Sequence, residues 1–345
     1  MQKTSIVLLV WLSGAACTET QAPVERGQSA PPASRIHKLE ELTWPQIDAL
    51  DRGRTLFILP VGMIEVHGPH LPIGTDTLGL SYEVERAASQ VSRDLPDWNI
   101  VVMPPVNYGQ GGANQLGGQL VHSGTYAIRQ STLRSLVADL GGQVAQNGFK
   151  WIFVLNGHAT PTHNIAINEA SDFVSQTFRV TMLHVTALLR ADTTIQSRGQ
   201  AITARFFSAE ERASFGLDLH AGVSETSGML AIRPDLVSST YTSLPRQVGH
   251  SLDEVREVAA RPGWQSYLSD PAKASAEHGR AVEAWWIEAF AELIVRAIGG
   301  ENMFDQPRFP DAVPPAVAAV AEQALAEEAA FEARLHDWME QQRRR

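Results

Sequence analysis

The run Thr55-Leu56-Phe57-Ile58-Leu59-Pro60-Val61 passes directly into Gly62-Met63-Ile64-Glu65-Val66-His67-Gly68-Pro69-His70-Leu71-Pro72-Ile73-Gly74-Thr75-Asp76-Thr77. The first seven residues have the length and apolar content of a buried strand, and residues 78–91 beyond them have the length and period of a helix. The same succession recurs, with strand-like runs at 100–103, 151–155 and 179–185 and helix-like stretches at 128–147 and 162–176. Strand then helix, repeated, predicts an α/β chain: a layered α/β/α fold around a mostly parallel central sheet. Sites in such folds form beyond the carboxyl ends of the strands, which is where the polar part of the opening stretch lies.

Glu65 and His67 are two residues apart, so an extended backbone projects both from one face. Asp76 returns across a Gly/Pro-rich loop to the start of the next helix. A carboxylate, an imidazole and a second carboxylate meeting at a strand end suit a divalent cation of the zinc or manganese class. A second cluster, Leu155-Asn156-Gly157-His158, ends another strand, and Gly157 is expected to turn the backbone sharply and aim His158 over the sheet end. The third is Asp218-Leu219-His220-Ala221-Gly222-Val223-Ser224-Glu225-Thr226-Ser227, where His220 and Glu225 offer an acid/base pair, or one further ligand with a proton shuttle. Taken singly, each reads equally well as a polar loop, a turn or a cap. All three together, each beside a strand-like or helix-like run, point to one site.

In this order the three blocks resemble the creatininase (creatinine amidohydrolase) family, with its Glu-x-His-Gly-Pro-His-Leu-Pro-x-Gly-Thr-Asp, Asn-Gly-His and His-Ala-Gly-x-x-Glu-Thr-Ser segments. The resemblance extends to Asn107-Tyr108-Gly109, Ser123-Gly124-Thr125, Asp270-Pro271 and Ala276-Glu277-His278-Gly279, and covers residues 38–299 as one catalytic domain. It implies a metal-dependent amidohydrolase that cleaves a non-peptide or peptide-like C–N amide bond, in a cyclic amide, a formamide or similar, with a hydroxide held between two divalent cations (zinc, manganese or iron). By the same resemblance Glu65, Asp76 and His158 would hold one metal and His67 with Asp76 the second, Asp76 bridging. His220 would protonate the leaving nitrogen with Glu225 beside it, Tyr108, Ser123 and Gly124 would meet the substrate, and the chain would form homo-oligomers. Two departures bear on substrate and metals. Thr160 stands where creatininase carries the glutamate that completes the second metal, which makes Glu225 a candidate replacement and leaves a metal- or ligand-binding protein without turnover as the alternative. No tryptophan lies between His158 and His220, which argues against creatinine itself.

Length and composition bound this reading. A chain of 345 residues, 44% hydrophobic, can bury a large core, and its net charge of −10 argues against nucleic acid and anionic lipid as partners. A small-molecule amide is the expected partner. At the N-terminus, Lys3, the apolar residues 6–12 and the small residues Ser13, Gly14, Ala15 and Ala16 before Cys17 read as a signal peptide ending in a lipobox-like site, with Gly14 where Leu or Val is usual. The expected product is an exported, periplasmic protein whose membrane contact is an acyl anchor at Cys17. Residues 18–37, rich in Pro, Ser, Ala and Gln, read as a flexible tether. Cys17 is the sole cysteine, so no internal disulfide forms. Residues 271–298 predict a helix packing Trp285, Trp286, Phe290 and Leu293 inward, and 300–345 reads as a charged, helical C-terminal extension.

Overall fold

A computed structural model describes residues 35–118 and 122–344, and Cys17 with the rest of the export segment lies outside them. Five parallel strands, β1 (Ile36–Lys38), β2 (Thr55–Val61), β3 (Asn99–Val102), β4 (Trp151–Asn156) and β5 (Thr181–His184), form a sheet of order β1-β3-β2-β4-β5. The helices are α1 (Trp44–Asp48), α2 (Thr75–Asp94), α3 (Asn114–Gly117), α4 (Gln130–Gln146), α5 (Pro161–Phe178), α6 (Val185–Ala191) and α7 (Thr193–Thr203). They continue with α8 (Ala209–Phe215), α9 (Val223–Ile232), α10 (Leu252–Ala259), α11 (Ala276–Ile298) and α12 (Pro315–Arg344). This is the layered α/β/α arrangement the apolar runs predict.

Every residue of β2 is buried, because β2 is paired with β3 on one side and β4 on the other and covered on both faces. Its side chains divide by the pleat. Leu56 and Ile58 join a core with α2, α6 and α11, whereas Phe57, Leu59 and Val61 join a second core with α4 and α5. The connection from β2 runs through α2 to β3 on one side, and that from β4 runs through α5 to β5 on the other. The loops after β2 and β4 therefore diverge, opening a crevice at the carboxyl ends of the two central strands.

Three further features depart from or refine the sequence reading. Ile36 and His37, read as the end of the tether, belong to edge strand β1, in register with Ile100 and Val101; three residues are too few to show a period. The Ala276-Glu277-His278-Gly279 block is a helix-crossing device: a Cβ on Gly279 would stand 1.8 Å from the Ser227 carbonyl oxygen, so α9 and α11 can touch only with glycine there. Helix α12 runs for 30 residues with Ala321 alone fully buried. Among the described residues no helix is long and apolar enough to cross a membrane.

Candidate metal centre

Beyond β2 the chain is pinned as a loop, with Glu65 N–H donating to the Ile73 carbonyl (2.9 Å), Val66 N–H to Thr125 Oγ1 (3.2 Å) and Tyr126 N–H to the Ile64 carbonyl (3.0 Å). These bonds hold Glu65 and His67 in the crevice, where both are buried. Asp76 enters from the first turn of α2, a position whose free N–H groups and helix dipole favour a carboxylate. His158 comes from the loop after β4.

The four side chains meet. Asp76 Oδ1 lies 3.1 Å from His67 Nε2 and its Oδ2 lies 3.1 Å from His158 Nδ1. Glu65 Oε1 is 2.8 Å from His158 Nδ1 and 4.0 Å from His67 Nε2, while its other oxygen accepts the Ala113 N–H at 2.7 Å. His67 Nδ1 lies 3.1 Å from the Glu65 carbonyl oxygen, a bond in which Nδ1–H donates and which turns Nε2 toward the carboxylates. Asp76 is thus shared between two imidazoles by its two oxygens.

Charge follows from this geometry. Burial pushes the Asp76 carboxyl up, but His67 and His158 outweigh it and hold the group well below the usual carboxylate range. Glu65 is also held low, against burial, by His158 and His220. Burial pulls the imidazoles down, yet Asp76 raises His67 to about 10 and Glu65 raises His158 to about 10. Two protons therefore sit where the donor atoms converge, and a divalent cation would displace them. Three donor groups have ligand atoms within 4.8 Å of one another: Glu65, Asp76 and His158; His67, Asp76 and Glu225; and Glu65, His67 and His220. Mixed nitrogen and carboxylate sets of this kind fit zinc, manganese or iron.

Glu225, on the first turn of α9, has its Oε2 3.7 Å from His67 Nε2 and accepts the Ala221 N–H at 2.5 Å. Ala221 adopts φ 48°, unusual for a residue with a Cβ, and that conformation aims its N–H at Glu225. Burial pushes the Glu225 carboxyl up to about 7, against the pull of His67. Asp218 holds the start of α9 by accepting the Val223 and Ser224 N–H groups at 2.9 and 2.8 Å. His220 Nε2–H donates to the Val66 carbonyl at 2.8 Å, and its ring lies 4.4 Å from that of His67. Burial lowers His220 to about 4, so it is neutral near pH 7 with its Nδ1 lone pair free to accept a proton. Thr160 stands at the N-cap position of α5 without a side-chain cap bond, and its hydroxyl accepts the Gly112 N–H at 3.3 Å; after the shared Asp76, Glu225 is the next carboxylate to His67, at 3.7 Å.

The role expected for Gly157 changes. Its φ is ordinary, and what requires glycine is proximity, since a Cβ would lie 2.6 Å from the Asp76 carbonyl oxygen and 3.2 Å from Leu80 Cβ. His158 is aimed instead by Asn156, whose Oδ1 accepts the His158 N–H (2.9 Å) and whose Nδ2 donates to the His158 carbonyl (2.6 Å). Asn156 Oδ1 also bonds His163 Nε2 (3.0 Å), His163 Nδ1 accepts the Gln110 N–H (3.1 Å), and Gln110 Nε2 donates to Glu328 of α12 (2.8 Å). Sequence reading assigns no role to Gln110, His163 or Glu328, and no local pattern marks Glu328, 218 residues from Gln110.

A cavity of about 740 Å³ opens beside Asp76 and Glu225, within the range of small-molecule sites. Tyr108 (54% exposed), Ser123 and Gly124 do not line it. The 123–125 segment instead backs the loop that carries Glu65 and His67, through Thr125.

The family model described as creatinine amidohydrolase, Creatininase, matches residues 40–294. Creatinine amidohydrolase of Pseudomonas putida is 29% identical over 244 residues, covering 68% of this chain and 83% of the relative. The mycofactocin precursor peptide peptidase of Mycobacterium ulcerans is 28% identical over 270 residues, covering 75% and 88%. Among solved structures, a creatininase variant with one tryptophan replaced by phenylalanine is 25% identical, with a TM-score of 0.58 over 77% of this chain and 99% of that one.

Proposed function

Because the chain belongs to the creatininase family, whose hydrolases act on amide bonds, we propose that it cleaves the C–N bond of a small cyclic amide, a formamide or a peptide-like amide with the help of two divalent cations. The observation that carries this reading is the sharing of Asp76, 3.1 Å from His67 through one oxygen and 3.1 Å from His158 through the other. Glu65, Asp76 and His158 would hold one cation; His67, Asp76 and Glu225 would hold the second. Zinc, manganese and iron all suit these donors. Bound there, the pair would lower the pKa of water and polarise an amide carbonyl.

The chain's own residues supply the rest. His220, fixed by its bond to the Val66 carbonyl, takes a proton at Nδ1 and returns it to the leaving nitrogen. Burial of Glu65, His67 and His220 keeps bulk water away, which strengthens every charge interaction in the crevice. By resemblance Tyr108, Ser123 and Gly124 are proposed to meet the substrate. Creatinine is disfavoured, because no tryptophan lies between His158 and His220. The alternative of a binding protein without turnover rests on Thr160, and Glu225 beside His67 weakens it.

The test is a panel of amides and lactams presented to the mature, zinc- or manganese-loaded protein and to Glu65→Gln. Cleavage that disappears in the variant supports the proposal; no cleavage anywhere, with unchanged metal content in Glu65→Gln, overturns it. We also propose export with acylation at Cys17, for which the mass of the membrane-extracted protein should exceed that of Cys17→Ser by an acyl group. A homo-oligomer is proposed as well, and a monomeric mass by sedimentation would exclude it.

A further inference from the structure

The cavity beside Asp76 and Glu225 holds two cationic groups that this reaction does not use. Arg190, on the last turn of α6, and Arg212, on α8, both line it. The Nε atom of each is buried without a hydrogen-bond partner, and among the described residues neither guanidinium forms an ion pair. Arg190 has the Trp286 ring 5.6 Å away, a contact that satisfies none of its N–H donors. Both side chains are half-buried, each with its Nε closed off from solvent and no carboxylate of the described residues within salt-bridge distance, so their N–H donors are left for a group that enters the cavity.

Nor do the nearby acids balance them. Glu83 of α2 and Glu283 of α11 also line the cavity, and their carboxyls are hydrogen-bonded to each other, which requires a shared proton. Burial holds Glu83 well above the usual carboxylate range and Glu283 at about 7, so the pair carries about one negative charge. Glu225, Asp76 and Glu83 attract Arg190 at longer range, but two divalent cations would engage Glu65, Asp76 and Glu225, and the Asp218 carboxylate is taken up by the Val223 and Ser224 N–H groups, which leaves the two guanidiniums facing the one shared charge of Glu83 and Glu283.

We propose that Arg190 and Arg212 bind a carboxylate of the substrate, so that the amides this protein acts on carry a free acid within reach of the scissile bond. The planar guanidinium fork matches a carboxylate through paired N–H donors, which makes arginine selective for the acid over a neutral amide or ester of the same shape. A cavity of about 740 Å³ has room for an N-acyl amino acid or the C-terminal end of a short peptide. This inference rests on the hydrolase reading for the chemistry at the metals, but the anion site is separable by binding.

The experiment compares N-acetylglycine with neutral N-acetylglycinamide on the zinc-loaded full chain, by calorimetric titration and by hydrolysis rate. The acid is expected to bind at least about tenfold more tightly than the amide, and Arg190→Gln and Arg212→Gln, at wild-type metal content, should each remove that preference. Should Arg190→Gln fail to fold, Arg190→Lys, which keeps the charge, should retain part of the preference while Arg212→Gln still loses it. Equal binding of acid and amide by the wild type, or a preference untouched in both Gln variants, would overturn the proposal. Cleavage of neutral amides without acid preference overturns the anion site and leaves the hydrolase reading standing. Arginine-dependent acid binding without turnover does the reverse.

Discussion

Replacing Gly157 by alanine adds one methyl group at a place that touches no ligand atom. It nonetheless sets a Cβ 2.6 Å from the backbone oxygen of Asp76, the residue both halves of the site share. Relieving that contact needs roughly 0.4–0.8 Å of separation between the end of β4 and the first turn of α2, an overpacking cost of about 1–3 kcal/mol. For a domain of this size each kcal/mol corresponds to about 2–4 °C in melting temperature, so the metal-free variant should melt roughly 2–12 °C lower. The same displacement moves Asp76 away from His67 and His158, each 3.1 Å distant, and metal affinity should fall about 10- to 100-fold. Gly79→Ala is the internal control: it lies in the same helix with nothing within 4 Å of its Cβ, and should be neutral or stabilising by up to about 1 kcal/mol. Thermal melts with and without metal, together with a zinc titration, read both quantities. A Gly157→Ala protein with wild-type melting and wild-type zinc affinity would refute the reasoning.

Glu225→Gln should leave the Glu65, Asp76 and His158 donors intact while weakening the set around His67, so metal analysis should find about one ion per chain fewer than in wild type. For the metal-free protein, His67 and His158 are raised to about 10, so their contribution to stability is complete below about pH 6.5 and is lost as pH rises through 10. Asp76 and Glu65 are held low, so theirs is present above the usual carboxylate range and is lost as pH falls through their lowered values. Burial lowers His70 and His220 to about 4 and His184 to about 3, so the stability of keeping them neutral is complete above about pH 6.5 and is lost as pH falls toward those values; the melting temperature should therefore be highest near pH 6.5, and melts across pH 3–10 check this. Because cations compete with the two imidazole protons, zinc affinity should rise about tenfold per pH unit per ion between pH 6 and 9, which titration at each pH would show. Glu328→Ala removes the acceptor of Gln110 Nε2 (2.8 Å) and of the Gln130 N–H that starts α4 (2.7 Å), and should lower stability by about 1–2 kcal/mol in a denaturant melt.

What could be read from the letters follows the range of each interaction. Strand β2 was legible because seven apolar residues are buried on both faces, and β4 for the same reason; β1, three residues at the sheet edge, carries no period to detect. Glu65, His67, Asp76 and His158 were legible as candidate donors because they fall in short blocks just after strands or at a helix start. Their support was not, since Ala113 holds Glu65 through its backbone and Glu328 reaches Gln110 across the chain. Arg190, Arg212, Glu83 and Glu283 look like ordinary polar positions of amphipathic helices, and only the packing of α2, α6, α8 and α11 around one cavity sets them apart. Gly157 was singled out for the wrong reason, because a close approach by α2 is invisible until the helix is in place.

The most direct test of the account is metal content per chain, measured by mass spectrometry on the mature protein beside Asp76→Ala. Two equivalents in wild type falling toward zero in the variant is the predicted result, because Asp76 is the one carboxylate common to the Glu65–His158 and His67–Glu225 donor sets. Two equivalents retained without Asp76, or none in the wild type, would contradict it.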